Sequence, residues 1–109
     1  MGIPHLSSGQ VISLEPLGAA LAGARTSALV KSQDIELVRI VLPQGKALAP
    51  HAVRGDITLL CLEGAVEVDV GDTRTRLESG QLLYLEGGVA HGLRALSDAS
   101  LLLTISLRA

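Results

Sequence analysis

Aromatic residues are nearly missing: the 109 residues hold no Phe, no Trp and one Tyr, Tyr84. A single-stranded nucleic-acid surface needs stacking platforms, and one ring cannot supply them. Basic clusters are missing too. Nine Lys and Arg stand against 11 Asp and Glu, a formal net charge of −2, so nothing attracts a phosphate backbone. Nucleic acid is therefore not an expected partner. One cysteine, Cys61, excludes an intrachain disulfide and fits a reducing cytoplasm, the expected location. No apolar run reaches membrane-spanning length, because Glu15, Arg25, Asp34 and Glu36 interrupt the hydrophobic first third. Residues 11–24 have the apolar character of a signal core, but no Lys or Arg precedes them, and Glu15 and Pro16 lie inside. Leu6 stands where the myristoylation pattern after Met1-Gly2 needs Ser or Thr. A membrane is not an expected partner either.

What is present is aliphatic. Apolar residues make up 48% of the chain and the mean hydropathy is +0.44, so the core must be built from Leu, Val, Ile and Ala. The length fits one domain with an efficient core. So much aliphatic surface on a small body predicts that part of it is buried against a second copy, as a homodimer.

The polar, glycine-containing residues 1–10 read as a flexible N-terminal arm that includes His5, and residues 11–109 as a single domain. VISLE at 11–15 predicts a first strand, and PLGAALAGA at 16–24 a short helical turn opened by Pro16. Strands follow at regular spacing. IELVRIVL at 35–42 is rich in β-branched residues and stops at Pro43. ITLLCLE at 57–63 is nearly continuous in hydrophobicity, as for a strand buried on both faces or most of the way. Val66, Val68 and Val70 alternate with Glu67 and Asp69, and Gly71-Asp72 turns the chain back into TRTRL. Glu67, Asp69, Arg74 and Arg76 read as a cross-strand charge ladder on the solvent side. QLLYLE, HGLRAL and SLLLTISL supply the remaining strands. Eight to ten short strands separated by turn residues predict an all-β sandwich or barrel.

Two stretches share a glycine, an extended apolar segment and a histidine beside a turn: residues 45–64 and 80–95. They resemble the two conserved motifs of the cupins. Gly45, His51 and Gly64 fall in register with the first motif, whose second His position is Val53 and whose Glu position is Ile57, or Thr58 at the longer spacing. Gly80, Gly88 and His91 match the second motif, in which Glu86 stands at the Pro position and Ala95 at the Asn position. The resemblance covers residues 45–95 and implies a cupin-type double-stranded β-helix, a jelly-roll barrel. It also implies a site. Cupins commonly hold a metal with two His and one Glu of the first motif and the His of the second; here His51 and His91 remain of those four.

Two imidazoles alone are a weak metal set. Cys61 shares a strand face with Ile57 and Leu59 and is a possible third ligand; a His, His, Cys set is acceptable for zinc. Asp56, one residue before the Glu position, is another if a bulge turns it inward, and Glu86 on its corner is a third. Against these readings, Cys61 also suits a buried strand as a small apolar residue, and the two histidines suit a pocket without metal. The candidate ligand pocket is therefore His51, Val53, Ile57, Cys61 and His91, with either no cofactor or one divalent transition metal.

Three functions are compatible with this reading. The first is a metal-free binding module whose cavity takes a small organic molecule oriented by His51 and His91. The second is a metal-dependent enzyme of dioxygenase or isomerase type, and the third is a dimeric interaction or regulatory partner. Loss of the Glu and one His weighs against oxygen chemistry, and retention of the other two His weighs against a purely structural role. The binding module is the favoured expectation. An aliphatic, uncharged wall points to a small neutral or weakly acidic ligand.

Overall fold

The computed structural model describes residues 5–108. Residues 1–4 of the expected arm, Met1-Gly2 among them, and Ala109 lie outside the described residues. Among the described residues nine strands follow one another: β1 Ser27–Lys31, β2 Ile35–Leu42, β3 Ala47–His51, β4 Ile57–Glu63, β5 Ala65–Val70, β6 Thr73–Glu78, β7 Leu82–Leu85, β8 His91–Ala95 and β9 Ala99–Ser106. They form a five-stranded sheet in the order β1-β2-β9-β4-β7 and a four-stranded sheet in the order β3-β8-β5-β6, with every pairing antiparallel. The inner faces meet in the double-stranded β-helix of a jelly roll. Among the described residues no helix is long and apolar enough to cross a membrane.

Side-chain alternation builds the core. Ile57, Leu59 and Cys61 of β4 face Leu101 of β9, Val66 and Val68 of β5, and Leu93 of β8. The intervening residues of β4 are half-buried, so of the two expectations the second holds: the strand is fully buried on its inner face and partly covered on its outer one. Continuous apolarity there reflects an outer face that is itself aliphatic. Two cross-strand rows run over that face: Leu82–Leu60–Leu102 and Tyr84–Thr58–Thr104.

The segment before β1 departs from expectation. VISLE forms no strand; Val11 is almost fully exposed, and the following residues form a short 3₁₀ helix, Gly18–Gly23, anchored by buried Leu21. Ile12 and Ser13 line a pocket with Leu29 of β1 and Arg39 and Val41 of β2. The segment is instead held by side chains reaching up from the sheet, as set out below.

The β5–β6 hairpin has the expected register, with Glu67 opposite Arg76 and Asp69 opposite Arg74. Only the second pair closes, with Arg74 Nε 3.6 Å from Asp69 Oδ1, while Arg76 turns to Glu78 along its own strand at 2.9 Å. Both are exposed contacts of the kind that contribute little.

Two irregularities position the residues that matter. In the β3–β8 ladder, Leu48 pairs with Leu93 but His51 pairs with His91, so β3 carries one extra residue between them. Pro50 lies in that interval and has no N–H for the ladder; it is tolerated because β3 is an edge strand. In the β4–β9 ladder, Cys61 pairs with Leu101 but Glu63 pairs with Ser100, again one residue out of step. Gly64 follows at φ +76°, where a Cβ would run into the Asp98 carbonyl, so only glycine fits this corner.

Candidate functional site

The β3 bulge makes the site. Without the extra residue Pro50 would face His91, and His51 would point to the opposite side of the sheet. With it, His51 and His91 stand directly opposite each other, their ring centroids 4.9 Å apart. His91 opens β8, while His51 closes β3. His91 is buried, 3% exposed, and His51 is exposed on the edge strand.

Both rings are tethered through the same nitrogen. His91 Nδ1 lies 3.1 Å from the Val89 carbonyl and His51 Nδ1 3.4 Å from the Ala49 carbonyl. A carbonyl oxygen only accepts, so these contacts place an N–H on Nδ1 of each ring and leave Nε2 for another partner. Of the other candidate pocket residues, Ile57 is buried in the core and Val53 packs against it.

A cupin-type metal needs more than this pair. Cys61 is buried among the core aliphatics, and its thiol donates to the Glu63 and Gly64 carbonyls at 3.4 Å. Burial pushes the thiol pKa up, away from the thiolate that binds metal. Asp56 is exposed and occupied at both oxygens, accepting from Tyr84 Oη at 3.1 Å and from the Gly87 N–H at 2.8 Å. That hydrogen bond, with the charge of Asp56, holds the Tyr84 proton above its ordinary pKa. Glu86 is exposed at its corner. Among the described residues no three His, Cys, Asp or Glu side chains gather closely enough to hold a metal ion. The donor set does not fit the metal that the fold implies.

A cavity of about 340 Å³ lies at one end of the barrel, lined by Glu36, Val53, Arg54, Ile105 and Leu107 among others. Val53 is the candidate pocket residue it includes; neither histidine lines it. Glu36 sits opposite Ile105 in the β2–β9 ladder, which puts it on the inner face with Val38 and Ile40. Sequence reading treated Glu36 only as an interruption of a hydrophobic run.

Glu63 was missed as well, and it organises the most polar cluster in the protein. Alternation from Cys61 would aim it into the core; the bulge at Leu62 turns it to the outer face, opposite Ser100. There it accepts from the N–H groups of Leu17 at 2.8 Å and Gly18 at 3.0 Å and from the Ser100 hydroxyl. The Arg39 guanidinium lies 3.6 Å away and donates to the Glu15 carbonyl at 2.7 Å. Both side chains are largely buried, 12% exposed for Arg39 and 13% for Glu63. Burial alone would push the Glu63 pKa up; the Leu17 N–H, the Ser100 hydroxyl, the Gly18 N–H and Arg39 outweigh it and hold the pKa below the ordinary carboxylate value. The cluster straps residues 15–18 onto the five-stranded sheet, and no signal in the sequence alone marks it.

Comparison with known proteins agrees with this architecture. Solved structures with the same fold include a conserved protein of unknown function from Streptococcus pyogenes, 20% identical over 100% of this chain and 96% of that one, with a TM-score of 0.76. A cupin superfamily protein from Desulfitobacterium hafniense is 15% identical over 98% of this chain and 99% of that one, TM-score 0.77. An RmlC-like cupin from Desulfovibrio desulfuricans is 23% identical over 94% and 98%, TM-score 0.71. At these identities the likeness is one of fold. No curated protein matches the chain. A family model described as the cupin domain matches residues 38–106, which spans the two histidines, both bulges and the whole β4–β9 core: the chain belongs to the cupin family.

Proposed function

We propose that this cupin is a metal-free module that binds a small organic molecule at the end of the barrel bounded by His51, Val53, Ile57 and His91. The observation that carries the reading is the histidine pair itself. Two rings tethered through Nδ1, one of them buried, stand 4.9 Å apart and leave Nε2 of each for a ligand, and the proposed site takes its aliphatic wall from Val53 and Ile57. Such a constellation orients a ligand O–H or N–H while the wall takes its apolar body. Val53 and Ile57 at the two remaining ligand positions support the metal-free form, because neither side chain can donate to an ion.

The test is metal content per protomer of untagged protein, purified without chelator and after reloading with Zn, Fe, Mn or Ni, beside His51→Ala and His91→Ala. No stoichiometric metal is expected in any preparation. A ligand found by thermal shift is then expected to bind roughly tenfold more weakly to His91→Ala, the loss of one buried hydrogen bond. Near-stoichiometric metal that disappears in both variants would overturn this reading in favour of a metal-dependent enzyme.

The module is also proposed to act as a homodimer through the outer face of the five-stranded sheet. Leu82 is 61% and Tyr84 56% exposed, and Leu60, Leu102, Thr58 and Thr104 continue their rows, so a second copy can cover an uncharged patch that has the Asp56 carboxylate beside Tyr84. Leu82→Glu is expected to give a monomer in sedimentation where the unmodified protein gives a dimer; a monomer in both would count against the interface.

A further inference from the structure

We propose that the cavity at the barrel end selects a small zwitterion of the amino-acid type, with Glu36 receiving its ammonium group and Arg54 its carboxylate. This rests on the reading of the barrel end as a small-molecule site and replaces the neutral or weakly acidic ligand that an uncharged wall would suggest.

The wall is not uncharged. Glu36 is partly buried on the inner face of β2, where Val38 and Ile40 continue the same row into the core. Glu36 is half-buried there, so water covers its carboxylate only in part and a ligand cation can take up the rest of its surface. Arg54 lines the same cavity from the loop between β3 and β4. The ion pairs among the described residues join Arg39 to Glu63, Arg74 to Asp69, Arg76 to Glu78 and Arg108 to Asp34. Glu36 and Arg54 enter none of them, and they do not pair with each other. Lys31 stands opposite Glu36 in the β1–β2 ladder, but it is exposed, does not line the cavity and closes no ion pair among the described residues.

Two opposite charges that close no ion pair among the described residues therefore line one cavity, Glu36 half-buried and Arg54 exposed, together with Val53, Ile105 and Leu107. A ligand with one charge leaves the other wall unmatched. A ligand with both charges and an apolar body between or beside them satisfies both walls and covers the aliphatic floor, where charge pairing is stronger than in open water.

The experiment is methyl NMR on the full chain with Ile, Leu and Val labelled, titrated with leucine and γ-aminobutyrate as zwitterions. Butylamine, butyrate and butyramide serve as cationic, anionic and neutral comparisons. At least one zwitterion is expected to shift the Val53, Ile105 and Leu107 methyl signals with an affinity about tenfold above butylamine or butyrate. Glu36→Gln is expected to remove that advantage and weaken butylamine while leaving butyrate unchanged; Arg54→Gln is expected to do the converse. Butyramide binding as well as the zwitterions, or Glu36→Gln leaving the order of affinities intact, would overturn the zwitterion assignment while leaving a small-molecule site in place. Cavity methyls that respond to no member of the panel would overturn both.

Discussion

Gly64→Ala is expected to lower stability by about 4 kcal/mol, a large share of what a domain of this size has to lose. Two costs combine. The residue sits at φ +76°, where any side chain is strained by about 1–2 kcal/mol. The new Cβ would also fall on the Asp98 carbonyl and press the Ala99 backbone, and Ala99 begins the central strand of the five-stranded sheet. Gly71 separates the two costs. It too has a positive φ, +56°, but nothing lies within contact of a Cβ built there. Gly71→Ala should therefore cost only about 1 kcal/mol. Thermal unfolding followed by circular dichroism should show a fall of roughly 20 °C for Gly64→Ala and about 5 °C for Gly71→Ala. Equal shifts would mean that backbone strain alone matters and that the β4–β5 corner can move away from Asp98.

Removing the carboxylate of Glu63 is the second large effect. Glu63→Ala takes away the acceptor for two backbone N–H groups and the Ser100 hydroxyl, and it leaves Arg39, already without a partner at Nε, as a buried charge with no counter-ion. Breaking such a pair from one side costs about 3 kcal/mol. Protection of the Leu17 and Gly18 amides from hydrogen exchange should fall in the same variant, because those amides lose their acceptor. The pH dependence has a definite sign. The Glu63 pKa is lowered in the folded protein, so its contribution is fully present above its unfolded value of about 4.3. It is lost as pH falls through the folded pKa, where the folded state must take up a proton it resists. The stability difference between the unmodified protein and Glu63→Gln should thus be constant near neutrality and shrink below about pH 5. A difference that grows on acidification, or one that does not change, would mean that the carboxylate is not the group holding the segment.

Where strand signals were local, they were readable. The β-branched run at 35–42, the apolar run at 57–63 and the alternating valines before Gly71-Asp72 all became strands, and the glycine–histidine spacings pointed to the barrel and to the histidine pair. The misreadings share one cause. VISLE has a strand's composition but lies with residues of β1 and β2 around a pocket and joins no ladder, a fact of the tertiary arrangement. Glu63 and His51 each owe their direction to one extra residue in a ladder, and a register slip of one moves a side chain to the other face. Pro50 gave a hint of the first bulge; nothing in the run from Cys61 to Gly64 announced the second. Glu36 fits the period-two pattern of β2 as an inner residue, but that pattern cannot say that the inner face ends in a cavity.

The strand order carries a consequence for the birth of the protein. β9 lies between β2 and β4, yet it follows every other strand in the chain. As synthesis proceeds, β2 and β4 must wait with open edges and aliphatic faces uncovered until β9 arrives to bridge them. The pairing that closes the sheet spans some of the longest sequence separations in the domain, which makes it slow, and the waiting edges are templates for wrong partners. The four-stranded sheet has no such delay at its β5–β6 hairpin. The nascent chain is thus exposed to aggregation until its final strand has been made and inserted, and help from a chaperone would count for most in that interval.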